Sequence, residues 1–72
     1  MRWPDLDAMT IEQAQDVRSL RCEGNGATWR YIAHHCAEKW GGGWDSNQIA
    51  GMEICGAAAR LLGEDPNEPP WN

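Results

Sequence analysis

The chain has 72 residues and a formal net charge of −5, with 42% of its residues hydrophobic, which predicts one small globular domain. It contains no apolar stretch near the roughly 20 residues that a membrane span requires and opens without a secretory signal, so we expect a cytoplasmic chain without membrane association. The cysteines Cys22, Cys36 and Cys55 are scattered, and we expect free buried thiols in a reducing compartment.

The acidic excess is concentrated at both ends of the chain. Residues 1–17 carry a net charge of −3 and residues 41–72 carry −4, whereas residues 18–40 carry +2. Nucleic-acid affinity comes mainly from neutralising phosphates, so an acidic field opposes it. Only the mildly basic middle of the sequence favours a polyanionic partner.

The first predicted helix spans 10–23 and follows an extended lead, 1–9. Thr10 caps this helix, and Gln13 stands at the third helical position, which completes a capping box. Apolar residues recur every third position: Ile11, Ala14, Val17 and Leu20.

The second predicted helix spans 28–40, with Thr28 as its cap and the run "GGG" at 41–43 as its end. Because its apolar face carries two tryptophans, we expect this helix to form the middle of the core. The apolar face consists of Trp29, Ile32, Ala33, Cys36, Ala37 and Trp40.

The third predicted helix spans 45–62. Asp45 serves as its cap with Gln48 as the capping-box partner, and Trp44 and Ile49 have the spacing of a hydrophobic staple. Glycines and alanines in its middle favour close approach of another helix, because each helical glycine costs up to about 1 kcal/mol relative to alanine. Apolar residues cover about half of this helix, more than two short helices are expected to bury.

Either the tail folds back over the rest of the third helix or a partner covers it, and we predict a protein partner. The tail, 63–72, is acidic and rich in proline, and it reads as an extended strap. Its Trp71 docks either on its own domain, which we favour, or on another protein; Trp3 and Leu6 are the corresponding apolar hooks of the lead. The predicted protein-binding residues are Ile54, Ala58, Leu61, Leu62 and Trp71.

Neither catalysis nor metal binding is indicated. His34 and His35 point about 100° apart on a helix, so they do not chelate one ion, and no zinc-type ligand spacing is present. Cys36 points to the predicted core while His35 points away, so they do not form a nucleophile and base. We expect no enzyme activity, cofactor, metal or small-molecule substrate.

Duplex DNA is the alternative partner. The first turn of the third helix offers amide and hydroxyl groups of the kind that read bases, and basic side chains elsewhere are available for phosphates. Against this, residues 40–59 contain no arginine or lysine, whereas a helix that reads the groove normally carries several. The predicted nucleic-acid-binding residues are Arg18, Arg21, Arg30, Lys39, Ser46, Asn47 and Gln48.

The stretch "LRCEGNGATWRYIA" resembles the passage between the first two helices of helix-turn-helix domains in resolvases and phage terminase small subunits. The resemblance covers roughly residues 11–35 and implies a trihelical fold. Together with "SNQIAGMEICGAAARLLGEDPNEPPWN", it is similar to short proteins of actinobacterial phages and their hosts. This implies a phage accessory protein, located in the cytoplasm or in a phage particle. The long second helix and the lengthened "GGGW" corner depart from the tight helix-turn-helix pattern.

The sequence thus predicts an all-α, helix-turn-helix-like bundle of three helices with extended, Trp-bearing ends. Its predicted function is non-catalytic protein binding, with a protein partner or a second copy of the chain bound through the third helix and the tail. The alternatives are a small DNA-binding regulator and an acidic decoy that occupies a nucleic-acid-binding protein.

Overall fold

The computed structural model describes residues 6–23, 27–41 and 46–71. These residues contain helices and turns but no strand, which confirms the predicted all-α fold of three helices. A single 3₁₀ turn at Leu6–Ala8 precedes the helices α1 (Ile11–Cys22), α2 (Trp29–Trp40) and α3 (Gln48–Leu61).

Helix α1 begins with the predicted capping box. The backbone N–H of Gln13 donates to Thr10 Oγ1 at 3.1 Å, and the backbone N–H of Thr10 donates to Gln13 Oε1 at 2.9 Å. This reciprocal pair fixes the first turn and buries the Gln13 side chain, whereas Ile11, expected on the apolar stripe, is half-exposed. The stripe therefore starts at Ala14 rather than at Ile11.

Helix α2 has the predicted limits. The hydroxyl of Thr28 accepts a hydrogen bond from the backbone N–H of Tyr31 at 3.2 Å, and Gly41 ends the helix with a φ of 76°. Only glycine adopts such a left-handed φ without strain. The rest of the predicted "GGG" corner, like the predicted "GNG" end of the first helix, lies outside the described residues.

Helix α3 begins later than predicted. Its cap is Asn47, whose Oδ1 accepts from the backbone N–H of Ala50 at 2.8 Å, so the predicted start at 45 is corrected and Gln48 is the first helical residue. The predicted staple involves Trp44, which lies outside the described residues. Ile49, its other member, is 70% exposed.

Helix α3, and not α2, lies in the middle of the fold. It packs against both α1 and α2, which make few contacts with each other. The small residues of α3 allow this close approach from two sides. The buried apolar core consists of Met9, Ala14, Val17, Ile32, Ala33, Cys36, Ala50, Ile54, Cys55, Ala58, Ala59 and Trp71.

The two glycines of α3 have different surroundings. Gly51 lies directly against the backbone carbonyl of Trp29, and a Cβ at this position would overlap that carbonyl. The nearest atoms to a Cβ at Gly56 would be those of the Arg60 guanidinium, 3.3 Å away at the end of a flexible side chain. Gly51 therefore sets how closely α2 and α3 approach, whereas Gly56 faces a shallow groove.

Candidate protein-binding surface

The tail folds back onto its own domain, as the sequence analysis favoured. Trp71 is 2% exposed and belongs to the core, and its indole Nε1 donates to Glu64 Oε1 at 2.7 Å. The segment is a folded loop rather than the predicted extended strap. Gly63, with a φ of 76°, reverses the chain after α3, and the backbone N–H groups of Glu68 and Trp71 donate to Asp65 and Glu68.

Two arginines of α1 hold this loop. The Arg18 Nε lies 2.9 and 3.0 Å from the two carboxylate oxygens of Glu64, and the Arg21 Nε donates to the backbone carbonyl of Trp71 at 3.1 Å. Arg21 also donates to the carbonyl of Ala27 at 3.0 Å. Two of the residues predicted to bind phosphates therefore stabilise the docked loop instead.

The ion pair is reflected in the pKa of both partners. The hydrogen bond from the Trp71 indole, followed by the one from Arg18, lowers the pKa of Glu64. The hydrogen bond to Glu64 raises the pKa of Arg18. Both shifts favour the charged forms that the docked loop uses.

A groove of about 270 Å³ lies between the docked loop and α3. Gly56 adds no side chain to its lining, and the exposed Met52 and the half-buried Trp29 are its main apolar members. It is lined by Trp29, Met52, Cys55, Gly56, Arg60, Pro66, Asn67 and Trp71.

Next to this groove, α3 exposes large apolar side chains. Ile49 is 70% exposed and Met52 is 47% exposed, and their spacing of three residues places both on the helical face that contains Gly56. Leu61 is also exposed, but it lies on another side of α3, in a shallow depression with Leu6.

The predicted protein-binding residues do not form one surface. Ile54 and Ala58 are fully buried, so the expectation that they face outward is wrong, because α3 is the central helix and α1 and α2 cover this face. Leu62 is half-buried against the core, and Trp71 is enclosed by its own domain. Of the five, Leu61 is exposed, and Ile49 and Met52 form the apolar surface that the prediction did not include.

Three of the remaining residues predicted to bind nucleic acid contact other groups of the chain. The side chain of Asn47 caps α3, Lys39 Nζ lies 3.5 Å from Asp16 Oδ2, and the Ser46 hydroxyl lies 3.3 Å from His34 Nδ1. Arg30 and Gln48 are exposed and come together.

These two line a second depression of about 250 Å³, together with Arg21, Thr28 and Trp29. It lies where the first turns of α2 and α3 meet.

The two histidines each lie next to a carboxylate. His35 Nε2 lies 2.9 Å from Asp16 Oδ2, and His34 Nε2 lies 3.2 Å from Glu38 Oε1. His35 is thus half-buried and bonded to Asp16 of α1. Among the described residues, no group of three or more histidines, cysteines or carboxylates is arranged to hold a metal ion.

The thiols are held in their protonated form. Burial raises the pKa of Cys36 and of Cys55 to about 12, and burial also raises the pKa of Cys22. A thiol reacts as a nucleophile through its thiolate, so burial makes Cys36 and Cys55 poor nucleophiles near neutral pH.

The described helices include none that is long and apolar enough to cross a membrane. No protein-family model, curated protein or solved structure matches this chain. The resemblance to helix-turn-helix and phage proteins therefore stays a prediction.

Proposed function

We propose that the chain is a non-catalytic protein-binding module whose contact surface is the face of α3 that bears Ile49 and Met52, with the adjoining groove. One observation carries the proposal: these two large apolar side chains are exposed on one face of α3, and Met52 also lines the groove that contains Gly56. Contiguous exposed apolar surface in a small domain marks an interaction site.

The contrast with Trp71 supports this proposal. The same domain encloses one tryptophan with its own loop and fastens that loop with two arginines, while it leaves Ile49 and Met52 uncovered. A partner that covered these side chains would remove apolar surface from water, and each Å² removed contributes a favourable free energy of roughly 25 cal/mol. The raised thiol pKa values support the non-catalytic part of the proposal.

The proposed partner is a different protein or a second copy of the chain. The resemblance to phage proteins supports an accessory role within a larger assembly.

The test compares Met52→Glu with Gln15→Glu, which adds the same charge at an exposed position of α1. Wild type and Gln15→Glu are expected to retain the same protein in pull-downs from cells that express the chain, and Met52→Glu is expected to lose it. Sedimentation of the purified chains tests self-association in the same way. The proposal fails if Met52→Glu remains folded, keeps every partner and sediments as wild type does.

Duplex DNA binding is the second candidate function, and the shared depression of Arg30 and Gln48 at the start of α3 favours it. Arg18 and Arg21 are bonded to the docked loop, which leaves fewer cations for phosphates than the sequence indicated. A gel-shift series over salt tests this candidate. It requires tight binding to duplex DNA that weakens steeply with salt and is lost in Arg30→Ala.

A further inference from the structure

Two depressions adjoin each other at Trp29, beside α3. They share Trp29, and Gln48 of one and Met52 of the other are four residues apart on the same face of the helix. From Gln48 to Arg60 the two depressions follow α3 for about 18 Å, at about 1.5 Å per residue. We call the two depressions together the Trp29 groove.

The charges that line the Trp29 groove are all of one sign. Arg21 and Arg30 lie at one end and Arg60 at the other, whereas no aspartate or glutamate lines either depression among the described residues. Half of the six basic residues of a chain with 11 acidic ones therefore border these two depressions.

These arginines have no carboxylate partner in the part of the chain that the structure describes. Arg21 donates only to backbone carbonyls and lies over the Trp29 ring, 4.7 Å from its centroid. Arg30 and Arg60 are exposed and form no ion pair with a described residue. Arg18, by contrast, is paired with Glu64. The arginines of the Trp29 groove thus keep their positive charge unpaired among the described residues, whereas Glu64 neutralises Arg18.

Between its charged ends, the Trp29 groove has a mixed lining. The apolar residues Met52, Trp29 and Pro66 stand beside the polar Asn67 and the backbone of Gly56. A nucleic-acid backbone would set phosphates against the apolar side chains of Met52 and Trp29, at the cost of desolvation without hydrogen bonds. A peptide can place an apolar side chain there and carboxylates at both ends, where guanidinium groups form charge-assisted hydrogen bonds.

We infer that the Trp29 groove binds an acidic peptide segment of a partner protein, with an apolar side chain seated at Met52 and Gly56 and carboxylates at Arg30 and Arg60. The inference rests on the proposed function and specifies the chemistry of the partner. The acidic character of the ligand follows from the sign of the groove, and its apolar anchor follows from the middle of the groove.

The test is selection from a displayed library of random peptides of about twelve residues, the length of a helix that spans the groove, on the immobilised intact chain. Selected peptides are expected to be enriched in aspartate and glutamate together with large apolar residues. A synthetic copy of the most enriched peptide is then titrated by fluorescence anisotropy. Arg60→Gln and Arg30→Gln are each expected to weaken binding about fivefold to tenfold, and Gln15→Glu, with the same change in net charge, is expected to leave it unchanged.

The outcomes separate the inference from the proposed function. Enrichment of basic or uncharged peptides overturns the inference, and the proposed function still stands if their binding requires Met52. Failure to enrich any peptide also overturns the inference, and the Met52→Glu pull-down then decides the proposed function separately. Duplex DNA that displaces the selected peptide and requires Arg30 and Arg60 replaces the inference with nucleic-acid binding. Self-association that requires both arginines replaces it with a second copy of the chain.

Discussion

The two ends of α3 differ in whether large apolar side chains beside them are buried or exposed. At the C-terminal end, a loop of the same chain returns, buries Trp71 and is held by Arg18 and Arg21. At the N-terminal end, Ile49 and Met52 stand in solvent. The sequence has the same kinds of residue at both ends, so the difference arises from long-range bonds across 46 and 50 residues. The covered apolar surface therefore stabilises the fold, and the uncovered surface is the one for which we propose a role in recognition.

The largest expected effect is at the covered end. Trp71→Ala removes a buried indole and its hydrogen bond to Glu64, and we expect a loss of about 3–5 kcal/mol in the free energy of unfolding. Chemical denaturation followed by far-UV circular dichroism measures it. Met52→Ala, at the uncovered end, is the matched control and is expected to cost less than about 1 kcal/mol. Equal losses in the free energy of unfolding for the two variants would show that the covered and the uncovered end contribute equally to stability.

Gly51→Ala is expected to cost about 1–3 kcal/mol, because the added Cβ overlaps the Trp29 carbonyl and forces α2 away from α3. This loss exceeds the gain in helix propensity that alanine brings elsewhere. Denaturation curves at equal protein concentration measure the difference. A variant as stable as wild type would show that the two helices can separate freely.

The docked loop is expected to weaken in acid. The pKa of Glu64 is lower in the folded chain, so its carboxylate stabilises the fold above its unfolded pKa, and this stabilisation is lost as the pH falls through the lower, folded value. Glu64→Gln is expected to lower the midpoint of thermal unfolding at neutral pH. The gap to wild type is expected to close as the pH falls below about 4.

Thermal unfolding of both chains between about pH 7 and pH 3 measures how the difference between their midpoints changes with pH. Glu68→Gln alters an exposed side chain of the same loop and is the control. A gap between Glu64→Gln and wild type that stays constant with pH would contradict the role of this carboxylate.

The smallest expected effect is a gain. The Cβ that Gly56→Ala adds lies nearest to the movable guanidinium of Arg60, so the helix is stabilised by up to about 1 kcal/mol. The added methyl group also fills part of the groove. We therefore expect the peptide selected on the Trp29 groove to bind more weakly, which anisotropy titration measures. Destabilisation by Gly56→Ala would mean that Gly56 is as closely packed as Gly51.

Local signals in the sequence were sufficient for the helices but not for their arrangement. The capping box of Thr10 and Gln13 and the cap at Thr28 involve residues three apart, so a short stretch contains the whole interaction. The start of α3 was less determined, because aspartate, serine and asparagine follow one another and cap helices about equally well. Asn47 is the residue that the structure uses.

The outward face of α3 could not be read from the sequence. Apolar residues cover half of this helix, so the face that α1 and α2 bury depends on the close approach at Gly51 and not on composition. The role of Arg18 was missed for a related reason. Its partner Glu64 is 46 residues away, and no periodicity links two such positions. Gly51 and Glu64 are the residues that could have indicated these contacts, but only if their partners, Trp29 and Arg18, had been known.

The contact between Gly51 and the Trp29 carbonyl has a consequence for recognising distant relatives of this domain. The contact involves the backbone of Trp29 and not its indole, so this contact constrains the glycine at position 51 and not the side chain at position 29. A search pattern for such relatives should therefore require a glycine at this register of the central helix, together with an arginine and a glutamate that vary jointly at positions 18 and 64.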